Sequence, residues 1–161
     1  GISNTMQNLA VTAGYNIALG TTSTGGAVRN MLDAYDAADY KIDYLVVDAL
    51  SEVKMEASRI RQERGSGKFV PLHDVVGKAD ALKSNLPLFF GENISSTRVF
   101  WRDDAESAAE QKARFENGAL VEGKEEKLNN WLSMYGYAFG ENGVETKQAP
   151  SRRRTRRLGR R

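Results

Sequence analysis

Cations are the residues of this chain best placed to do chemistry, and they fall into two groups. The first is Lys147 with Arg152, Arg153, Arg154, Arg156, Arg157, Arg160 and Arg161. Guanidinium forks match phosphate and carboxylate oxygens. Pro150 and Gly159 oppose regular structure, and Leu158 is the lone large apolar residue among them. The segment therefore reads as a disordered, polyanion-binding tail. Nucleic acid is the favoured partner, held through phosphate without reading of base sequence; an acidic protein surface or an anionic membrane share that chemistry, but little here could enter a bilayer. The second group lies at 59–68, where arginines are interleaved with Glu56 and Glu63, as on a surface helix laced with ion pairs.

Other chemistries are excluded or open. There is no cysteine, hence no disulfide and no thiolate metal site, and His73 is the single histidine, so this chain alone assembles neither a Ser–His–Asp triad nor a His-based metal site. Asp103-Asp104 could hold a metal, or simply form a turn at an acidic helix start. Thr21–Gly26 (TTSTGG) could offer hydroxyls and amides to an anion, or cap a helix. Lysine follows glycine at 67–68, 77–78 and 123–124, but the next residue is Phe69, Ala79 or Glu125 rather than the Ser or Thr of a phosphate-binding loop. The chain alone therefore lacks the cradle of a self-sufficient P-loop phosphotransferase.

The elements that must position these residues alternate in period. Apolar spacing predicts a helix over 4–13, a short buried strand over 15–22, and a helix from Ala27 to Ala38 with Val28, Met31, Leu32 and Tyr35 on one stripe. Tyr40–Ala49 reads as a strand apolar on both faces, as if covered by helices on each side. Ser51 is the expected cap of a helix to Arg64, Pro71 opens another through Leu86, and 97–102 is a further strand. Beyond Asp104 the Ala, Glu, Gln and Lys content predicts a surface helix to Asn117, an amphipathic helix over 125–135, and a loop from Gly136 to Gly143. Trp131, Tyr135, Tyr137 and Phe139 suit a docking patch or, preferably, a small core pinning that last helix. The expected fold is α/β, a mostly parallel sheet flanked by helices. Three strands are few for such a sheet, and the missing central one is expected upstream of Gly1 or from another chain.

Charge divides the chain in two. Eight cations and no acid occupy 147–161, leaving 15 of the 23 basic residues against all 21 acidic ones in 1–146. An α/β body over 1–146, its part beyond 104 a helical extension, is thus followed by a basic tail over 147–161.

Within the body, Gly14-Tyr15 opening a strand to Gly20-Thr21, then Asp39-Tyr40-Lys41, then Arg59–Arg64, Ser66-Gly67-Lys68-Phe69-Val70-Pro71 and Asn85-Leu86-Pro87 follow one another in an order and spacing that resembles the zeta-toxin group of P-loop kinases over residues 8–104. The resemblance implies a P-loop-kinase-like fold and descent from nucleotide-dependent kinases, several of which act on UDP-sugar precursors of the cell wall. It implies that Arg61, Arg64 and Lys68 contact the transferring phosphoryl group, whose charge fixed cations and Mg²⁺ stabilise. Three departures accompany it: no phosphate loop, Leu19 where the family has a strand-end acid, and Lys68 where it has an arginine. The chain alone is expected to be inactive and without cofactor, with ATP and Mg²⁺ entering if a P-loop lies upstream.

Two expectations of function follow. One is a segment or non-catalytic derivative of such a kinase, from a phage or mobile element, with a polyanion-binding tail. The other is a non-enzymatic structural or nucleic-acid-associated phage (virion) protein anchored by that tail. The cytoplasm or the interior of a phage particle is the expected location, since no apolar run reaches the roughly 20 residues that span a bilayer.

Overall fold

The computed structural model of the chain describes residues 2–67, 70–141 and 143–147. Lys68, the seven arginines of the tail and Phe69 lie outside them. Helix α1 (Ile2–Thr12) leads through an irregular stretch to α2 (Val28–Asp36), strand β1 (Asp43–Ala49), α3 (Ser51–Glu63) and α4 (Leu72–Asn85), which runs into a short 3-10 turn, Leu86–Phe90. Then come β2 (Ser96–Arg102), β3 (Glu110–Glu116), β4 (Ala119–Gly123), α5 (Glu125–Met134), β5 (Tyr137–Gly140) and β6 (Gly143–Thr146).

The fold is α/β, with a mixed rather than mostly parallel sheet. Its strand order is β1-β2-β3-β4. Strands β1 and β2 are parallel in register from Asp43↔Ser96 to Ala49↔Arg102, whereas β2–β3 and β3–β4 are antiparallel. The chain makes the parallel pair through α3 and α4, which pack on each other; such a pair needs a crossover of this kind.

The helix expected over 104–117 is not formed. Residues 110–123 are a hairpin, and its turn explains why: Asn117 and Gly118 have φ of 47° and 79°, the pair of left-handed conformations that a two-residue hairpin turn demands and that Asn-Gly tolerates. Ala113 and Phe115, two apart, both face the core, the period of a strand. The loop expected from Gly136 likewise closes into the β5–β6 hairpin. The part beyond 104 is therefore two hairpins around one helix, not a helical extension.

Two further expectations are corrected nearer the start. Tyr15–Thr22, expected as a strand, has no regular secondary structure and joins no sheet among the described residues. Ser51 is the first residue of α3 rather than its cap; Leu50 holds that position and no side chain caps the helix.

The core lies on one face of the sheet. Val28 and Leu32 of α2, Val46 and Val99 of the parallel pair, Phe89, Phe90 and Phe115, and Leu128, Trp131 and Leu132 of α5 form a single buried cluster. Phe89 stacks on Tyr44 at 4.2 Å between centroids, and Phe90 meets Phe115 edge-on at 4.8 Å. Each such ring buries apolar area worth about 1.5–3 kcal/mol. The opposite face of β1 is bare: Leu45 is 55% and Val47 68% exposed. The expectation of helices on both faces thus fails among the described residues, although both faces of β1 are apolar.

Candidate functional site

The carboxyl ends of β1 and β2 stand side by side, the place where open α/β sheets present ligand-binding residues. Asp48 occupies the end of β1. Its carboxylate is 3% exposed and saturated: Oδ1 takes the backbone N–H of Ala49 at 2.9 Å and an ion pair from Lys54 Nζ at 2.5 Å, while Oδ2 accepts from the Trp131 indole N–H at 2.9 Å and from the Tyr135 hydroxyl. Burial, then the adjacent Asp48 charge, pushes the Tyr135 phenol well above its ordinary pKa. A carboxylate enclosed in this way is a latch between β1, the first turns of α3, and α5, because a buried charge is tolerated only when paired and hydrogen-bonded. Trp131 and Tyr135 are both 5% exposed. They are core, not a docking patch.

The cations read from the sequence do not converge. Arg64, the residue that closes α3, reaches across to Glu106 in the loop after β2, with 2.9 Å between Nη2 and Oε1. Both side chains are mostly exposed, so the pair is worth at most about 1 kcal/mol. Arg61 instead turns back on its own helix, donating from Nε to the Ala57 carbonyl at 3.3 Å. Arg59 is clasped by Glu56 and Glu63, as its interleaving with them suggests. Lys68, the third expected phosphate contact, lies outside the described residues, as do Arg152, Arg153, Arg154, Arg156, Arg157, Arg160 and Arg161.

The acidic pair after β2 forms a turn without a helix behind it. Asp104 Oδ1 accepts the backbone N–H groups of Ser107 and Glu106 at 2.7 and 2.8 Å, and these hold its carboxyl below the usual range. Among the described residues no cluster of three or more acidic or histidine side chains is placed to hold a metal ion. His73 is a surface residue near Asp74. At 21–26, Thr21 accepts from the Ser23 amide at 3.0 Å, and the buried Asn85 donates to the Ser23 and Gly25 carbonyls at 2.8 and 3.1 Å. The TTSTGG stretch is thereby fastened to the end of α4, and Ala27 precedes α2 without a side-chain cap.

Beside the strand ends, a cleft of about 290 Å³ opens between the sheet and α5, lined in part by Trp101, Lys127, Trp131 and Met134. Its other lysine, Lys112, is paired with Asp103 at 3.2 Å and Glu110 at 2.8 Å, so the walls are apolar and the rim charges partly balanced. Sequence reasoning missed Asp48. The available signal was its position, an acid ending the apolar run Tyr44–Val47. Among the described residues, no helix is long and apolar enough to cross a membrane. Comparison with family models, curated proteins and solved structures finds no match for this chain.

Proposed function

We propose that this chain is a segment or non-catalytic derivative of a zeta-toxin-like nucleotide-dependent kinase, of phage or mobile-element origin, which does not transfer phosphate by itself. The observation that carries the reading is the parallel β1–β2 pair joined through α3 and α4, which sets Arg64 beside the loop at the strand ends. That layout is the one the family resemblance implies for its phosphoryl-contacting helix. The saturation of Asp48 by Lys54, Trp131 and Tyr135 supports the non-catalytic part, since a carboxylate so enclosed has no lone pair directed outward for a hydrated cation. Isothermal calorimetry with ATP and Mg²⁺ tests it. The full chain should give no saturable heat at micromolar nucleotide, and micromolar binding would overturn the reading by requiring a phosphate cradle other than a P-loop.

A second reading, a nucleic-acid-associated structural protein of a phage particle, is favoured by the eight cations of 147–161 against the acidic excess of 1–146. If about six of them meet phosphate, log affinity for duplex DNA should fall with log salt at a slope near −5. Truncation after Thr146 should abolish binding; binding retained at the original affinity would move the site onto Arg59–Lys68.

A further inference from the structure

Strand β1 has one edge in the sheet and one outside it. Its inner edge pairs with β2 along all seven residues, and nothing among the described residues bonds its outer edge. Across a shared cavity from β1 lies the irregular stretch 15–22. It is fastened at both ends: Tyr40 donates to the Tyr15 carbonyl at 2.9 Å, while Ser23 meets the Tyr44 hydroxyl and Asn85 holds the Ser23 carbonyl. Between those ties, residues 16–22 make no backbone–backbone hydrogen bond with any described residue. A strand edge and an irregular segment thus border one gap without a hydrogen-bonded ladder between them.

The gap is large. On one side it holds about 640 Å³, bounded by 17–23, by Asp43–Val47 and by Leu82 and Phe89; a smaller lobe of about 120 Å³ continues it under α2. A space of that size is far beyond a packing flaw. Ile17, Leu19 and Thr21 look onto it from the outer wall, and Tyr44, Leu45 and Val47 line it from β1. Leu19, Leu45 and Val47 are all substantially exposed.

We infer that this slot takes a lone extended peptide strand, supplied by another polypeptide, that hydrogen-bonds to β1 on one edge. The chemistry selects the occupant. An unpaired strand edge needs a row of N–H and C=O groups, which an extended peptide offers and a helix or small molecule does not. Apolar walls call for valine- and isoleucine-type side chains at alternate positions. A second folded copy presents a whole sheet edge, and the tethered 15–22 stretch walls that out. Asp43 is the charged residue of the larger lobe's lining, and the 1–146 body carries an acidic excess, so a basic residue flanking the strand is the complementary charge. This inference stands on the slot alone and holds whether or not the kinase reading does.

The test uses the full chain and a capped peptide, Lys-Val-Thr-Val-Ile-Thr-Val-Lys, followed by calorimetry and by amide hydrogen exchange. Saturable binding is expected, with new protection confined to 16–22 and to alternate residues of 43–49. Replacing the central Ile of the peptide by Pro, which removes a donor and breaks the extended ladder, should weaken binding at least tenfold. Leu19→Asp and Val47→Asp, at exposed positions, should do the same with the melting temperature unchanged. Equal binding of the proline peptide, protection elsewhere, or no binding at millimolar peptide would overturn the inference. Protection gained instead on adding a peptide of residues 147–161 would assign the slot to the chain's own tail and overturn the outside origin of the strand.

Discussion

The two edges of β1 have opposite fates. Toward β2 the strand is paired throughout, and its terminal Asp48 gathers hydrogen bonds from residues 83 and 87 positions away in sequence. Toward the 15–22 stretch it has no ladder partner among the described residues, and the side chains of Leu45 and Val47 stand open. The same apolar run, Tyr44–Val47, supplies both sides. Sequence composition therefore prepares β1 for burial on both faces, while the rest of the described chain covers one. The stability of the body should accordingly reside on the β2 and α5 side.

Substitutions sharpen that contrast. Asp48→Ala should have the largest effect, about 3–5 kcal/mol in urea unfolding, because it leaves Lys54 without its ion pair and strands two buried donors. A loss below 1 kcal/mol would mean that the latch is not closed. Tyr135→Phe removes one charge-assisted hydrogen bond and should cost about 1.5–3 kcal/mol. By contrast, Leu45→Lys and Val47→Lys, on the bare face, should each stay within about 0.5 kcal/mol of the parent. Losses as large as that of Tyr135→Phe would show the bare face to be covered.

The same latch gives a pH dependence. The Tyr135 phenol is raised in the folded chain by burial and by Asp48, while the unfolded value is about 10. Below that value both states hold the proton and the contribution to stability is complete. Above it the unfolded chain binds fewer protons than the folded one, so stability falls as pH rises. Tyr44, raised by burial against the opposing Ser23 bond, and Tyr35, raised by burial and Tyr40, add to the same slope. Thermal unfolding between pH 9 and 11 should show a shallower decline for Tyr135→Phe than for the parent, and parallel curves would remove Tyr135 from the account.

Legibility in the sequence follows the range of the interactions. Helix α2 was readable because Val28, Met31, Leu32 and Tyr35 recur at helical spacing, and β1 because four apolar residues precede Asp48. Residues 110–123 are not, because Gln111, Glu116 and Glu122 face solvent on a hairpin exposed along one side, and their helix-forming types outweigh Ala113 and Phe115 in a local reading. Asn117-Gly118 was read as a helix end, although it is equally the strongest short hairpin turn. The strand expected over 15–22 is not formed among the described residues, since pairing depends on what lies across the gap. At the candidate site, Arg61 and Arg64 were named from their place in a motif. Their divergence depends on Ala57 within the helix and on Glu106 in a distant loop, and only the latter lay beyond local reading.

The central claim is that β1 is bonded to β2 on one edge and to none of the described residues on the other, and native-state hydrogen exchange of the full chain tests it most directly. In a parallel strand, successive amides point to opposite neighbours. Along Asp43–Ala49, protection should therefore alternate, high for amides directed at β2 and low for those directed at the slot, with 16–22 exchanging as freely as the latter. Uniform protection along β1, together with protected amides in 16–22, would contradict the account by showing that the outer edge is already paired.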